Sequence, residues 1–145
     1  MPPEEELTPA AEKLIMIVDD DDSVRELLEF VVQKEGFRIA IARDGEEGLN
    51  KVRELLPNLI LLDLMLPKYG GFEILRQLQQ GETASIPIVI VTGRYSDRST
   101  SEMIRQESNV VDFLEKPIKP PLLAMTLHRL LKTKASAKDT AGGNP

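Results

Sequence analysis

The sequence predicts an α/β protein of doubly wound design, a five-stranded parallel sheet in the order 2-1-3-4-5 with helices on both faces. Three observations carry that expectation. Three runs, Lys13–Val18, Leu59–Leu62 and Ile86–Val91, are almost continuously apolar; without alternation they suit strands buried on both sides under covering helices. Between the runs, apolar residues recur at helical spacing. Strand and helix signals then alternate along the chain, five of each, which is the pattern of parallel pairing through crossover helices. Of the two common doubly wound orders, 2-1-3-4-5 is the one that fits five strands.

In chain order, residues 1–12 are rich in Pro and Glu and lack an apolar period, so they are expected to be a disordered extension, or at most one loose turn. Strand 1 covers Lys13–Val18 and runs into Asp19-Asp20-Asp21-Asp22. Val24, Leu27, Leu28, Val31 and Val32 give the first helix its apolar face, and Gly36 is placed to end it in a left-handed turn. Strand 2 is Phe37–Ala42. Asp44 and Glu47 have capping-box spacing before a helix faced by Leu49, Val52, Leu55 and Leu56 and closed by Pro57. Strand 3 leads to Asp63 and is broken by Pro67 and Gly70-Gly71. A third helix begins near Gly71 with Phe72, Leu75 and Leu78 inward. Strand 4 is Ile86–Thr92, with its proline at the start, where a missing donor is tolerated. The helix expected from Ser99 has only Met103 and Ile104 as large apolar anchors and should be the least firmly packed. Val110–Leu114 is strand 5. Pro120-Pro121 can open the last helix, with Leu123, Leu127, Leu130 and Leu131 as its buried stripe and His128 as a surface residue. The expected organisation is one domain over 13–132 and a disordered tail over 133–145.

Composition limits the function classes. The chain has 145 residues, 41% hydrophobic and 29% charged, with net charge −6 and no cysteine. One full-sized core is possible. Disulfides, thiolate metal sites and cysteine nucleophiles are excluded. The acidic start is unlike a signal peptide, no run approaches the roughly 20 apolar residues of a membrane helix, and the negative charge disfavours nucleic acid and anionic lipid. A cytoplasmic protein without direct DNA or membrane binding is the expectation.

The chemistry lies at the carboxyl ends of the strands, where doubly wound sheets bind ligands. Strand 1 brings Asp19 and Asp20, strand 3 Asp63, strand 4 Thr92 and strand 5 Lys116; strand 2, at the edge, brings only Ala42 and Arg43. Three converging carboxylates repel by about 4 kcal/mol per pair at about 4 Å and an effective dielectric of about 20, so protonation or a cation must relieve them. All-oxygen donors suit Mg²⁺ or Mn²⁺. Lys116 and Thr92 could hold a phosphoryl group beside Asp63, and a carboxylate can itself be the nucleophile in phosphoryl transfer.

The set Ile-Val-Asp19-Asp20-Asp21, Leu-Leu-Asp63-Leu-Met-Leu-Pro67, Val-Ile-Val-Thr92-Gly93 and Phe113-Leu-Glu-Lys116-Pro117 resembles the receiver domain of bacterial two-component response regulators, over roughly residues 13–132. Each motif is weak alone; all four in this order are specific. The resemblance implies a flavodoxin-like fold, and the stretch after residue 132 is too short for a DNA-binding or catalytic module, so a stand-alone receiver without an output domain is the expectation. The resemblance also implies phosphorylation of Asp63 by a sensor histidine kinase or a histidine phosphotransfer protein, with no enzymatic activity beyond self-phosphorylation and self-dephosphorylation. Asp20 would bind Mg²⁺ directly, Asp19 through water, and Met65 through its backbone carbonyl. Thr92 and Lys116 would contact phosphoryl oxygens. Phe113 would be the aromatic switch coupled to Thr92, and the peptide before Pro117 would be cis. A downstream protein would read the face formed by the segment after Ser99, strand 5 and the last helix. The chain departs from the common pattern at Gly70, Gly93 and Asn109, and Met65 and Arg94 hold two positions that tune phosphate lifetime.

Two other readings fit less well. A haloacid-dehalogenase-like phosphatase would use Asp19 as nucleophile and Asp21 as acid, but leaves Asp63 without a role and needs a late acidic pair and a cap. A pseudo-receiver that only docks would not need the intact acidic set.

Overall fold

The computed structural model describes residues 7–64, 71–93 and 109–135. Within them, β1 (Leu14–Val18), β2 (Arg38–Ala42), β3 (Leu59–Asp63), β4 (Ile88–Thr92) and β5 (Val110–Glu115) form one parallel sheet in the order β2-β1-β3-β4-β5. The helices are α1 (Asp22–Lys34), α2 (Gly45–Leu55), α3 (Gly71–Leu78) and α4 (Pro120–Leu131), with 3-10 turns at Ala10–Glu12 and Gly81–Ser85. The helix expected from Ser99, the Phe72 side chain, Gly70 and Arg94 lie outside what is described.

The unbroken apolar runs have a direct cause. Successive strand side chains point to opposite faces, and here both faces are covered. Met16, Val18, Ile60, Leu62, Ile88 and Ile90 pack with Leu49 and Val52 of α2 and Ile74, Leu75 and Leu78 of α3. Ile15, Ile17, Leu59, Leu61, Val89 and Val91 pack with Leu28, Val31 and Val32 of α1 and Leu123 and Leu127 of α4. β3 and β4 are buried at every position. On α2 the layers meet closely at Gly48, where an added Cβ would lie 2.9 Å from Val18 Cγ1.

Local signals set the helix ends. Asp21 caps α1 by accepting from the Val24 N–H at 3.1 Å, and Gly36 leaves the helix at φ +96°, a conformation glycine adopts without a side-chain clash. Asp44 accepts from the Glu47 N–H at 2.8 Å, while Glu47 reaches back to the Arg43 N–H at 2.6 Å. α2 stops in a left-handed residue at Leu56 (φ 47°), one before Pro57.

Three expectations need correction. Beside the one turn allowed, a 3-10 turn at Ala10–Glu12, the N-terminal stretch is tied down: Thr8 pairs in parallel with Thr133, its N–H donating to the Lys132 carbonyl at 3.0 Å. The tail does not begin at 133, because Thr133 is buried. His128 is not a surface residue. It is 8% exposed, its Nδ1 lies 2.7 Å from Thr133 Oγ1, its Nε2 lies 2.7 Å from Glu35 Oε1, and its ring packs on Phe37. The shared reason is a polar cluster at the carboxyl ends of α1 and α4 that gathers Thr8, Thr133, Glu35 and His128, which helical periodicity does not reveal.

Candidate functional site

The turn between β1 and α1 presents the acidic residues. Asp19 follows the last strand residue and is held there by its N–H, which donates to the Ala42 carbonyl at 3.1 Å. Its Oδ1 accepts from the Asp21 N–H at 2.9 Å. Asp63 is the last residue of β3, in register with Val91. Thr92 ends β4 one residue further, fully buried, and its carbonyl accepts from the Lys116 N–H at 2.8 Å. Lys116 thereby leaves β5 at the same edge of the sheet, through a cis Lys116–Pro117 peptide.

The side chains converge. One carboxylate oxygen from each of Asp19, Asp20 and Asp63 lies within 4.8 Å of the others. Lys116 Nζ sits between two of them, 3.4 Å from Asp19 Oδ2 and 3.5 Å from Asp63 Oδ2. Asp19 and Asp63 are buried and Asp20 is exposed, so the array opens to solvent on the Asp20 side. Phe113, on β5, pairs in register with Ile90 of β4, and its half-buried ring packs into the core layer under α2 and α3. Met65 lies outside the described residues.

Burial pushes the Asp19 carboxyl above its ordinary range; the Asp21 N–H opposes this, the neighbouring Asp63 charge adds to it, and Lys116 opposes it more weakly. At an effective dielectric of about 20, three carboxylates this close repel by roughly 3–4 kcal/mol per pair. One lysine offsets only part of that. Asp19 Oδ2, buried and with no aligned hydrogen-bond donor among the described residues, is an acceptor left for a cation. The donor set fits a hard, oxygen-seeking divalent ion. Asp21, whose carboxylate caps α1, is committed elsewhere, which removes the general acid that the phosphatase reading requires.

One residue in this neighbourhood was not singled out by sequence pattern. Arg25, 4% exposed, donates from Nη1 to the Asp19 carbonyl at 3.1 Å and from Nη2 to the Asp22 carboxylate. The signal was present: Arg25, Leu28 and Val32 share one helical stripe, so a cation occupies a core-facing position.

Fold and site together define a flavodoxin-like α/β domain whose switch point is an acidic crevice bridged by a lysine. Residues 15–128 match the family model for the response regulator receiver domain. The chain belongs to that family: it is the receiver domain of a two-component response regulator. It is 38% identical over 118 residues to the "DNA-binding response regulator MtrA" of Mycolicibacterium smegmatis, covering 81% of this chain and 50% of that protein. It spans about half the length of the curated relatives it matches. A solved putative response regulator from Chloroflexus aurantiacus J-10-fl aligns with TM-score 0.75 at 30% identity, covering 86% of this chain and 99% of that one. The receiver domain of sensor histidine kinase PA1611 from Pseudomonas aeruginosa, described with a magnesium ion coordinated in its active-site cleft, shares the fold with TM-score 0.75 at 22% identity, covering 83% of this chain and 98% of that one. Among the described residues, no helix is long and apolar enough to cross a membrane.

Proposed function

We propose that this receiver takes a phosphoryl group on Asp63 from a sensor histidine kinase or a histidine phosphotransfer protein, in a Mg²⁺-dependent reaction in the cytoplasm. The observation that carries this reading is the position of Lys116 Nζ, within 3.5 Å of both Asp63 and Asp19, with Asp20 completing the acidic array. Asp63 is the carboxylate at the end of a central strand, where an incoming group meets it in the crevice. One of its oxygens attacks phosphorus, a P–O bond forms, and the P–N bond to the donor histidine breaks with its electron pair returning to nitrogen. Lys116, 3.5 Å from Asp63 Oδ2, and the Thr92 hydroxyl, on the next strand, donate to the phosphoryl oxygens, on which charge accumulates. Asp19, Asp20 and Asp63 would hold Mg²⁺, with the Met65 carbonyl as the further ligand the resemblance implies, and the ion would neutralise charge on the transferred oxygens. Mn²⁺ suits the same donors.

The reaction is confined to the chain's own phosphorylation and dephosphorylation. Output runs through a partner protein that meets the face carrying β5 and α4, where Val111, Leu122 and Met125 are exposed apolar residues, with Thr92 and Phe113 as the switch pair. The net charge of −6 favours a protein surface over a polyanion as the direct target of this stretch.

The test is incubation with acetyl phosphate and Mg²⁺, read by intact mass and phosphate-affinity electrophoresis. A single phosphoryl adduct is expected, lost with Asp63→Asn and with EDTA. An adduct that survives Asp63→Asn, or none in the wild type, overturns the reading. Amide NMR shifts on adding beryllofluoride should extend across residues 93–114; shifts confined to the crevice would remove the switch-face part.

A further inference from the structure

We infer that Arg25 is a positioning residue for the cation site: its guanidinium ties the turn that carries Asp19 and Asp20 to α1, and so sets where those carboxylates stand. The inference rests on the Mg²⁺ reading above and deepens it.

Asp19, Asp20 and Asp21 are the whole connection between β1 and α1. Its two ends are fixed by backbone and cap, through the Asp19 N–H on Ala42 and the Asp21 carboxylate on the Val24 N–H. The middle is fixed by Arg25, whose Nη1 donates to the Asp19 carbonyl at 3.1 Å. Asp20 is exposed, so its carboxylate takes its position from the backbone of this turn. The second arm of the fork holds Asp22, 79% exposed at its side chain, and Nε faces Glu29 at 4.0 Å. A planar guanidinium can serve a carbonyl and a carboxylate at once; an ammonium is a point charge with no fork.

The placement also runs against simple electrostatics. A buried cation one helical turn from the acidic array repels an incoming divalent ion, and Nε is left without a hydrogen-bond acceptor. A side chain selected only for charge would not be positive here. The sign of the effect therefore separates the two roles. If Arg25 acts by its charge alone, removing it makes Mg²⁺ bind more tightly. If it positions the turn, removing it makes Mg²⁺ bind more weakly. Partners that orient metal ligands are typically worth 10–100-fold in affinity.

The experiment titrates MgCl₂ into the isotope-labelled chain and follows amide shifts, comparing wild type with Arg25→Met and Arg25→Lys, with urea unfolding of each in parallel. Arg25→Met is expected to bind Mg²⁺ about 10-fold more weakly, and Arg25→Lys, which keeps the charge, also several-fold more weakly. A purely structural role would lower the urea midpoint and leave the Mg²⁺ dissociation constant in place. Arg25→Met binding as tightly as wild type or more so overturns the inference; if that variant does not fold, unchanged binding by Arg25→Lys does the same. Wild type that fails to bind Mg²⁺ overturns the cation reading itself, a separate outcome.

Discussion

Asp19 shows in one side chain what the crevice requires of the fold. It is fully buried beside a second carboxylate, and burial raises its pKa above the ordinary 3.8. A raised folded-state pKa means that the native chain binds more protons than the unfolded one, so stability falls as pH rises through the window above 3.8. Without metal, wild-type stability measured by urea unfolding should decline over that window, and Asp19→Asn should abolish the decline and be the more stable protein at neutral pH. Saturating Mg²⁺ should flatten the wild-type curve; an identical pH slope in the Asn variant would refute the assignment. His128 poses the opposite case, a buried group whose partner is present. His128→Leu strands Glu35 in the core and should cost about 3–5 kcal/mol, most of it recovered by adding Glu35→Leu, read from chemical denaturation of the three variants.

At the scale of elements, close approach is the controlling quantity. Gly48 lets α2 lie on β1 with no side chain between them, and a Cβ there would stand 2.9 Å from Val18. Gly48→Ala should therefore destabilise by about 1–3 kcal/mol, despite alanine's better helix propensity. Gly93 is the contrast, since an added Cβ meets nothing within 4 Å; Gly93→Ala should be neutral or stabilising by about 0.4–1 kcal/mol. Thermal melts of the two variants should move in opposite directions. These elements also show what was legible in advance. Three of the strands followed from apolar runs that bury both faces, the strand order from the doubly wound arrangement that fits five strands, and the helix ends from Asp44 and Gly36. Asp19, Asp20, Asp63, Thr92 and Lys116 were readable because strand ends place them in one crevice. Arg25 and Glu35 were not singled out and His128 was read as a surface residue, because each adjoins a helical apolar stripe and is buried through polar partners, local for Arg25 and distant in sequence for Glu35 and His128. The fraying assigned to residues 8–12 failed for the same reason: their partner, Thr133, lies more than a hundred residues away.

For the whole molecule, the crevice crowds three carboxylates together at the end of a sheet in which β3 and β4 are buried at every position. A ligand that occupies only the folded crevice stabilises the entire domain by mass action. At a Mg²⁺ concentration about 100 times its dissociation constant the gain is about 2.7 kcal/mol, expected as a rise of several degrees in melting temperature, reversed by EDTA. A melting temperature indifferent to Mg²⁺ would contradict the carboxylate array as a cation site.

The pairing of Thr8 with Thr133 has a topological corollary. Helices in this sheet run opposite to the strands, so the end of α4 and the approach to β1 share the pole away from the crevice. The segments at Thr8 and Thr133 could therefore be joined by a brief glycine-serine bridge and the polypeptide reopened near Asn58, on that same pole. Such a rewired chain should keep the cation affinity proposed for it, because neither the new seam nor the new break comes near the Asp19, Asp20 and Asp63 array.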